Sequence, residues 1–89
     1  MDENQWIEKL KNEGYTKIEK KTFPPNKDFG IHTHDEHTIQ VILKGELIID
    51  ENGAKREMKE GERVEFSPGT SHSTKCGADG CEFIVGFRS

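Results

Sequence analysis

The fold is decided by the segment Thr38–Asp50, which reads TIQVILKGELIID. This segment carries the strongest β signal in the chain because it is rich in branched aliphatic residues, which favour strands. Gly45 interrupts it, and there we expect a turn or a bulge. One residue after it comes Asn52-Gly53, the dipeptide most typical of a tight hairpin. The segment therefore predicts an antiparallel sheet at the centre of the fold.

Shorter strand signals lie on both sides of this segment. They cover Tyr15–Phe23, Phe29–His34, Ala54–Met58, Arg63–Phe66 and Glu82–Phe87. The glycines within Cys76–Cys81 predict a hairpin loop before the last strand. Roughly seven to nine short strands with frequent turns are typical of a β-sandwich or a β-barrel.

One short helix is predicted before the strands, over residues 3–13. Trp6, Ile7 and Leu10 share one face of it, and Gly14 suits the position that ends a helix. We expect this helix to cover an edge or an end of the sheet. No repeat or linker divides the sequence, so residues 1–89 are predicted to form a single all-β domain, with the barrel over about 15–88.

The composition limits the classes of function. Of the 89 residues, 30% are hydrophobic and 34% are charged, so the core is thin and gains from closure, oligomerisation or a bound metal. A formal net charge of -4 argues against nucleic acid or an anionic membrane as the main partner. Without a signal peptide pattern, the chain is expected to be cytoplasmic. Cys76 and Cys81 are therefore expected to be reduced.

Three histidines form the candidate site. His32 and His34 are one residue apart, so an extended segment places both imidazoles on one face, with Cα atoms about 6.5 Å apart. His72 follows the turn signal Pro68-Gly69, where a loop can bring a third imidazole to the same point. The pattern predicts a three-histidine metal site.

Three residues near the histidines are assigned from strand parity and spacing. His37 has the opposite strand parity to His34, so we expect it at the surface or an interface. Gln40 is expected to face the interior, either as a weak metal ligand or water-binding group, or as a polar residue bonded to the barrel wall. Cys76, four residues after His72, is either a thiolate near the metal or a small buried residue.

Two segments resemble the motifs of the cupin superfamily. Gly30–His34, which reads GIHTH, resembles the first cupin motif together with Thr38 and Gly45. Gly61–His72, which reads GERVEFSPGTSH, resembles the second motif. The resemblance runs from Phe23 to Phe87 and implies a small single-domain cupin, with a jelly-roll β-barrel and a short amino-terminal helix.

The resemblance implies His32, His34 and His72 as the metal ligands. Thr38 stands where the first motif usually has a metal-binding glutamate, so no carboxylate ligand is implied. Cys76 stands where an asparagine often follows the second motif.

These ligands predict the cofactor and two classes of function. Three neutral imidazoles suit zinc, nickel or copper, and iron or manganese less well. Their uncompensated positive charge would attract a small, anionic ligand. The first hypothesis is a metal-dependent enzyme, oxygenase-like or isomerase-like. No general base is evident among the motif residues, since Glu65, the nearest acid in the second motif, has no assigned orientation. The alternative is a non-catalytic small-molecule binding or sensing module. Because small cupins commonly form dimers, a homodimer is expected. A third, weaker hypothesis for the function is an interaction domain.

Overall fold

The computed structural model describes all residues, Met1 to Ser89, as one helix and six strands. Their bounds are α1 Glu3–Asn12, β1 Thr16–Phe23, β2 Asp28–His32, β3 His37–Glu51, β4 Ala54–Lys59, β5 Arg63–Phe66 and β6 His72–Arg88. All strand pairs are antiparallel, in the order β1-β6-β3-β4, with β2 beside β6 and β5 beside β3. The predicted all-β jelly-roll fold with a short helix is confirmed.

Two long strands form the centre of this barrel. β3 has 15 residues and β6 has 17, and they pair from His37 with Arg88 to Asp50 with Ser73. The register shifts on both sides of Lys44, so the predicted interruption at Gly45 is a bulge within one strand. Gly45 has a φ of 72°, and a Cβ there would overlap the backbone oxygen of Gly80. The bulge therefore needs glycine, because the two strands approach too closely for a side chain.

The predicted hairpin loop at Cys76–Cys81 is wrong. β6 runs through this segment, and both of its halves pair with β3. Four residues of β6, between Cys76 and Cys81, stand opposite the single residue Glu46 of β3, so the segment is a bulge that does not reverse the strand. The prediction of seven to nine strands is corrected for the same reason: β3 and β6 each continue through a bend, which leaves six strands.

The expectation of two reduced cysteines is also wrong, because Cys76 and Cys81 form a disulfide. The bend in β6 brings their Cα atoms to 5.4 Å, within the range that a disulfide spans. Both residues are buried in the barrel interior. The number of cysteines and the expected cytoplasmic location do not indicate that this bend brings the two residues together.

The helix covers a face of the sheet. It begins at a capping box, in which Asp2 and Gln5 bond each other's backbone N–H groups, and Gly14 follows its end with a φ of 94°. Trp6 and Leu10 are buried in a cluster that β3 and β6 complete with Ile39, Val41 and Ile84. α1 has ten residues, and no helix in the structure has the length and apolar character of a membrane span.

Candidate metal centre and adjoining cavity

The barrel brings the three predicted histidines together. His32 ends β2 and lies directly opposite His72, the first residue of β6, while His34 lies in the loop two residues beyond β2. This corrects the predicted strand over Phe29–His34, which stops at His32. The backbone N–H of Gly69 donates to the carbonyl oxygen of His34 at 2.9 Å, so the Pro-Gly turn fixes the loop. One potential ligand atom from each histidine lies within 4.8 Å of the others.

His72 is the most constrained of the three. Its side chain is stacked on Phe66 with 3.8 Å between ring centroids, and it is 2% exposed. Its Nδ1 lies 3.3 Å from the carbonyl oxygen of Thr70, a contact in which Nδ1–H donates. Nε2 is then a lone-pair acceptor, and it is buried without a partner. A buried acceptor without a partner destabilises the fold unless a ligand occupies it.

His32 shows the same arrangement, with Nδ1 at 3.1 Å from the carbonyl oxygen of Gly30. Histidines that bind metals commonly donate their second ring N–H to a backbone carbonyl, which fixes the tautomer and the ring orientation. Both contacts therefore fit imidazoles that offer Nε2 to a metal ion.

The protonation states of His34 and His72 also favour metal binding. Burial lowers the pKa of His34 below its ordinary value of 6.5, and the nearby His32 lowers it further. Burial also lowers the pKa of His72, against an opposing effect of its hydrogen bond to Thr70. Both imidazoles are neutral at pH 7, the form that binds metals. The cluster is thus compatible with a divalent metal site built from three imidazole nitrogens.

Two of the additional residues considered from the sequence do not join the cluster. Thr38 is fully buried, but its hydroxyl donates to the carbonyl oxygen of Glu36 at 3.1 Å. Cys76 was considered as a thiolate ligand, and this is corrected, because its sulfur is bonded to Cys81. No carboxylate replaces the missing glutamate, since the cluster consists of three histidines.

Two residues near the motifs lie elsewhere. Glu65 accepts a hydrogen bond from the Tyr15 hydroxyl at 2.7 Å, and His37 Nε2 lies 3.1 Å from the same Glu65 oxygen. Tyr15 belongs to the apolar cluster under α1, so this group lies on the side of the sheet that faces the helix. Neither Glu65 nor His37 lines the cavity described next.

A cavity of about 270 Å³ adjoins the histidines. Its apolar wall consists of Phe23, Phe29, Phe83, Val85 and Phe87. Its polar lining consists of Glu19, Lys21, His32, His34, Gln40 and Thr74. Gln40, left open between two roles by the sequence, is 5% exposed and lines this cavity, and its Oε1 is buried without a hydrogen-bond partner.

Sequence reasoning missed the contribution of β1 to the cavity. Glu19, Lys21 and Phe23 line it from alternate positions of the strand, so strand parity was a usable signal. Lys21 Nζ lies 2.8 Å from a carboxylate oxygen of Glu19, and its hydrogen bond lowers the pKa of that carboxyl. Glu19 is therefore a paired carboxylate at neutral pH.

Comparison with known proteins gives a family match. A family model described as Cupin_2, Cupin domain, matches residues 20–86. No curated protein matches the sequence.

Solved structures share the fold. A Rhizobium leguminosarum protein of unknown function has a TM-score of 0.73 at 17% identity, covering 80% of this chain and 67% of its own. A cupin-2 domain containing protein from Shewanella frigidimarina has a TM-score of 0.67 at 17% identity, with 76% and 65% covered. A predicted oxalate decarboxylase from Thermotoga maritima has a TM-score of 0.72 at 25% identity, with 91% and 72% covered. The chain thus spans about two thirds of the length of these proteins.

Proposed function

This chain belongs to the cupin family, and on that premise we propose that His32, His34 and His72 bind one divalent transition metal ion. The observation that carries the proposal is the buried, unpartnered Nε2 of His72 within a cluster of potential ligand atoms only 4.8 Å across. Zinc, nickel and copper suit this donor set best, and iron or manganese less well, because all three donors are neutral nitrogens.

We further propose that the cavity holds a small molecule that reaches this ion. Three protein ligands leave coordination positions open, and a metal bound there would polarise an oxygen of the ligand as a Lewis acid. The phenylalanine wall offers apolar contact to the ligand, and the uncompensated positive charge of an ion held by three imidazoles would favour an anionic one. The reaction proposed is oxygenase-like or isomerase-like.

The similar Thermotoga maritima protein supports a small anionic substrate, since it is described as a predicted oxalate decarboxylase. Oxalate is a small dicarboxylate, and its charge is of the sign that a metal ion attracts.

A non-catalytic binding or sensing module is the second candidate. Glu19 is the only carboxylate that lines the cavity, and it is engaged by Lys21 at 2.8 Å. The cavity thus offers no free carboxylate as a general base, which favours capture of a ligand over proton abstraction.

Metal content tests the proposal directly. We expect protein loaded with zinc, nickel or copper and then desalted to retain one ion per chain, and the His72→Ala variant to retain almost none. His37→Ala is the matched control, because His37 bonds Glu65 outside the cluster. Retention of metal by His72→Ala at the wild-type level would contradict the proposal. Oxygen consumption with small anionic molecules then separates an oxygenase from a binding module.

We also propose that the protein is a homodimer. β2 pairs only with β6, and Ile31 on this edge strand is 80% exposed. An exposed apolar side chain on an edge strand favours contact with a second chain. Sedimentation velocity is expected to give a dimer for the wild type and a shift towards monomer for Ile31→Lys; a monomeric wild type would contradict this proposal.

A further inference from the structure

Gln40 is the polar side chain of the cavity whose hydrogen bonding is incomplete. It lies on β3 between Val64 of β5 and Val85 of β6, and it is 5% exposed. Its Oε1 has no partner and no contact with solvent. An amide in this position is unfavourable, because a buried carbonyl loses its water without gaining a hydrogen bond. The Gln40 side chain also lines the cavity, so its amide is a polar group that a ligand there can bond.

The opposite wall indicates what kind of ligand fits. Phe23 and Phe29 meet edge to face with 4.6 Å between ring centroids, and Phe23 lies 5.9 Å from Phe83. Phe23, Phe29 and Phe87 pack on the interior core but remain only partly buried. Aromatic walls of this kind favour another aromatic ring, in stacked or edge-to-face contact.

The volume of the cavity is sufficient for one ring. A cavity of about 150 Å³ holds benzene in an engineered protein, so the 270 Å³ here admits one substituted ring. A hydroxyl on that ring both donates and accepts a hydrogen bond, so it pairs with the amide of Gln40 whichever end of the amide faces it.

We propose that Gln40 determines specificity by hydrogen bonding to the hydroxyl of a single-ring phenol held against the phenylalanine wall. This inference rests on the proposed function, in that it takes the cavity beside the histidines as the ligand site. A ring of the same shape without a hydroxyl leaves the amide unpaired, and sites with a buried polar group discriminate strongly against such analogues.

Phenol and toluene form a matched pair of probes, because they differ by a hydroxyl in place of a methyl group. NMR titration gives the ratio of their dissociation constants. We expect the preference for phenol to fall about tenfold in Gln40→Met, which keeps the length of the side chain and removes the amide. Thr74→Val is the matched control, because it removes another buried polar group that lines the cavity, and its ratio should stay within about twofold of the wild type.

Several outcomes decide the proposal. An unchanged ratio in Gln40→Met, or an equal loss in Thr74→Val, would overturn it. If Gln40→Met does not fold, as judged by its NMR spectrum, Gln40→Leu provides the same comparison. Metal content measured on the same samples separates a failure of the metal site from a failure of the Gln40 hydrogen bond. Protein that takes up no metal contradicts the proposed function, whereas metal-loaded protein whose phenol preference survives Gln40→Met contradicts the role of Gln40 alone.

Discussion

The two faces of β3 are built from alternate residues of one strand, and they contact different parts of the molecule. Ile39 and Val41 are fully buried against α1, in a cluster whose other members are apolar or aromatic. Thr38 and Gln40 belong to the opposite face, which encloses the cavity and approaches the histidines. Because the faces are separate, a substitution on one should leave the other intact. Packing on the helix face stabilises the barrel, whereas the cavity face contains polar groups whose hydrogen bonding is incomplete.

The largest effect is expected on the helix face. Leu10 is fully buried between α1 and the sheet, and Leu10→Ala should lower the free energy of unfolding by about 3 kcal/mol, from lost burial and the cavity left behind. Urea denaturation measures this change. Metal retention per folded chain should equal that of the wild type. A folded Leu10→Ala protein without metal would show that the two faces are coupled.

A smaller effect of opposite sign is expected on the cavity face. Gln40→Met should raise the free energy of unfolding of the ligand-free protein by about 1 kcal/mol, because it removes a buried carbonyl that has no partner. Denaturation of wild type and variant side by side measures the difference. A clear loss of stability would mean that the Gln40 amide forms hydrogen bonds in solution. The cavity face would then contribute to stability, as the helix face does.

The smallest effect concerns the ion pair that joins the helix end to β5. Arg63 donates to both carboxylate oxygens of Glu13, at 2.7 and 3.0 Å, and this hydrogen bonding is the main cause that lowers the pKa of Glu13 from 4.5 to about 2. A pKa that is lower in the folded chain means that the stabilisation is fully present above about pH 4.5 and is lost as the pH falls towards 2.

Glu13→Gln should therefore cost less than about 1 kcal/mol at neutral pH, since the pair is partly exposed. The difference from the wild type should shrink below pH 4.5, which a series of denaturation curves across pH measures. A difference that does not depend on pH would exclude the ion pair as its source. Metal retention at neutral pH should be unaffected.

Local patterns in the sequence predicted much of this molecule. The branched residues of Thr38–Asp50 predicted the central strand, strand parity predicted the interior side of Gln40, and Gly14 predicted the end of the helix. The spacing of the histidines on either side of a Pro-Gly turn was enough to bring them together, because β2 and β6 pair directly at His32 and His72.

What the sequence did not predict depends on contacts between distant segments. Gly77 and Gly80 look like a hairpin loop locally, but β3 pairs with β6 on both sides of them and keeps the strand continuous. The disulfide follows from that bend and not from the spacing of the cysteines. The cavity wall depends on which face of β1 turns inward, and this is set by its pairing with β6.

X-ray absorption spectroscopy of the metal-loaded protein identifies the atoms that bind the ion. For zinc, we expect three imidazole nitrogens per ion at about 2.0–2.1 Å, with oxygen or nitrogen atoms from solvent or ligand completing the coordination. The His72→Ala variant should lose this signal. Sulfur scattering at about 2.3 Å, or a metal environment without imidazole, would contradict a site formed by His32, His34 and His72.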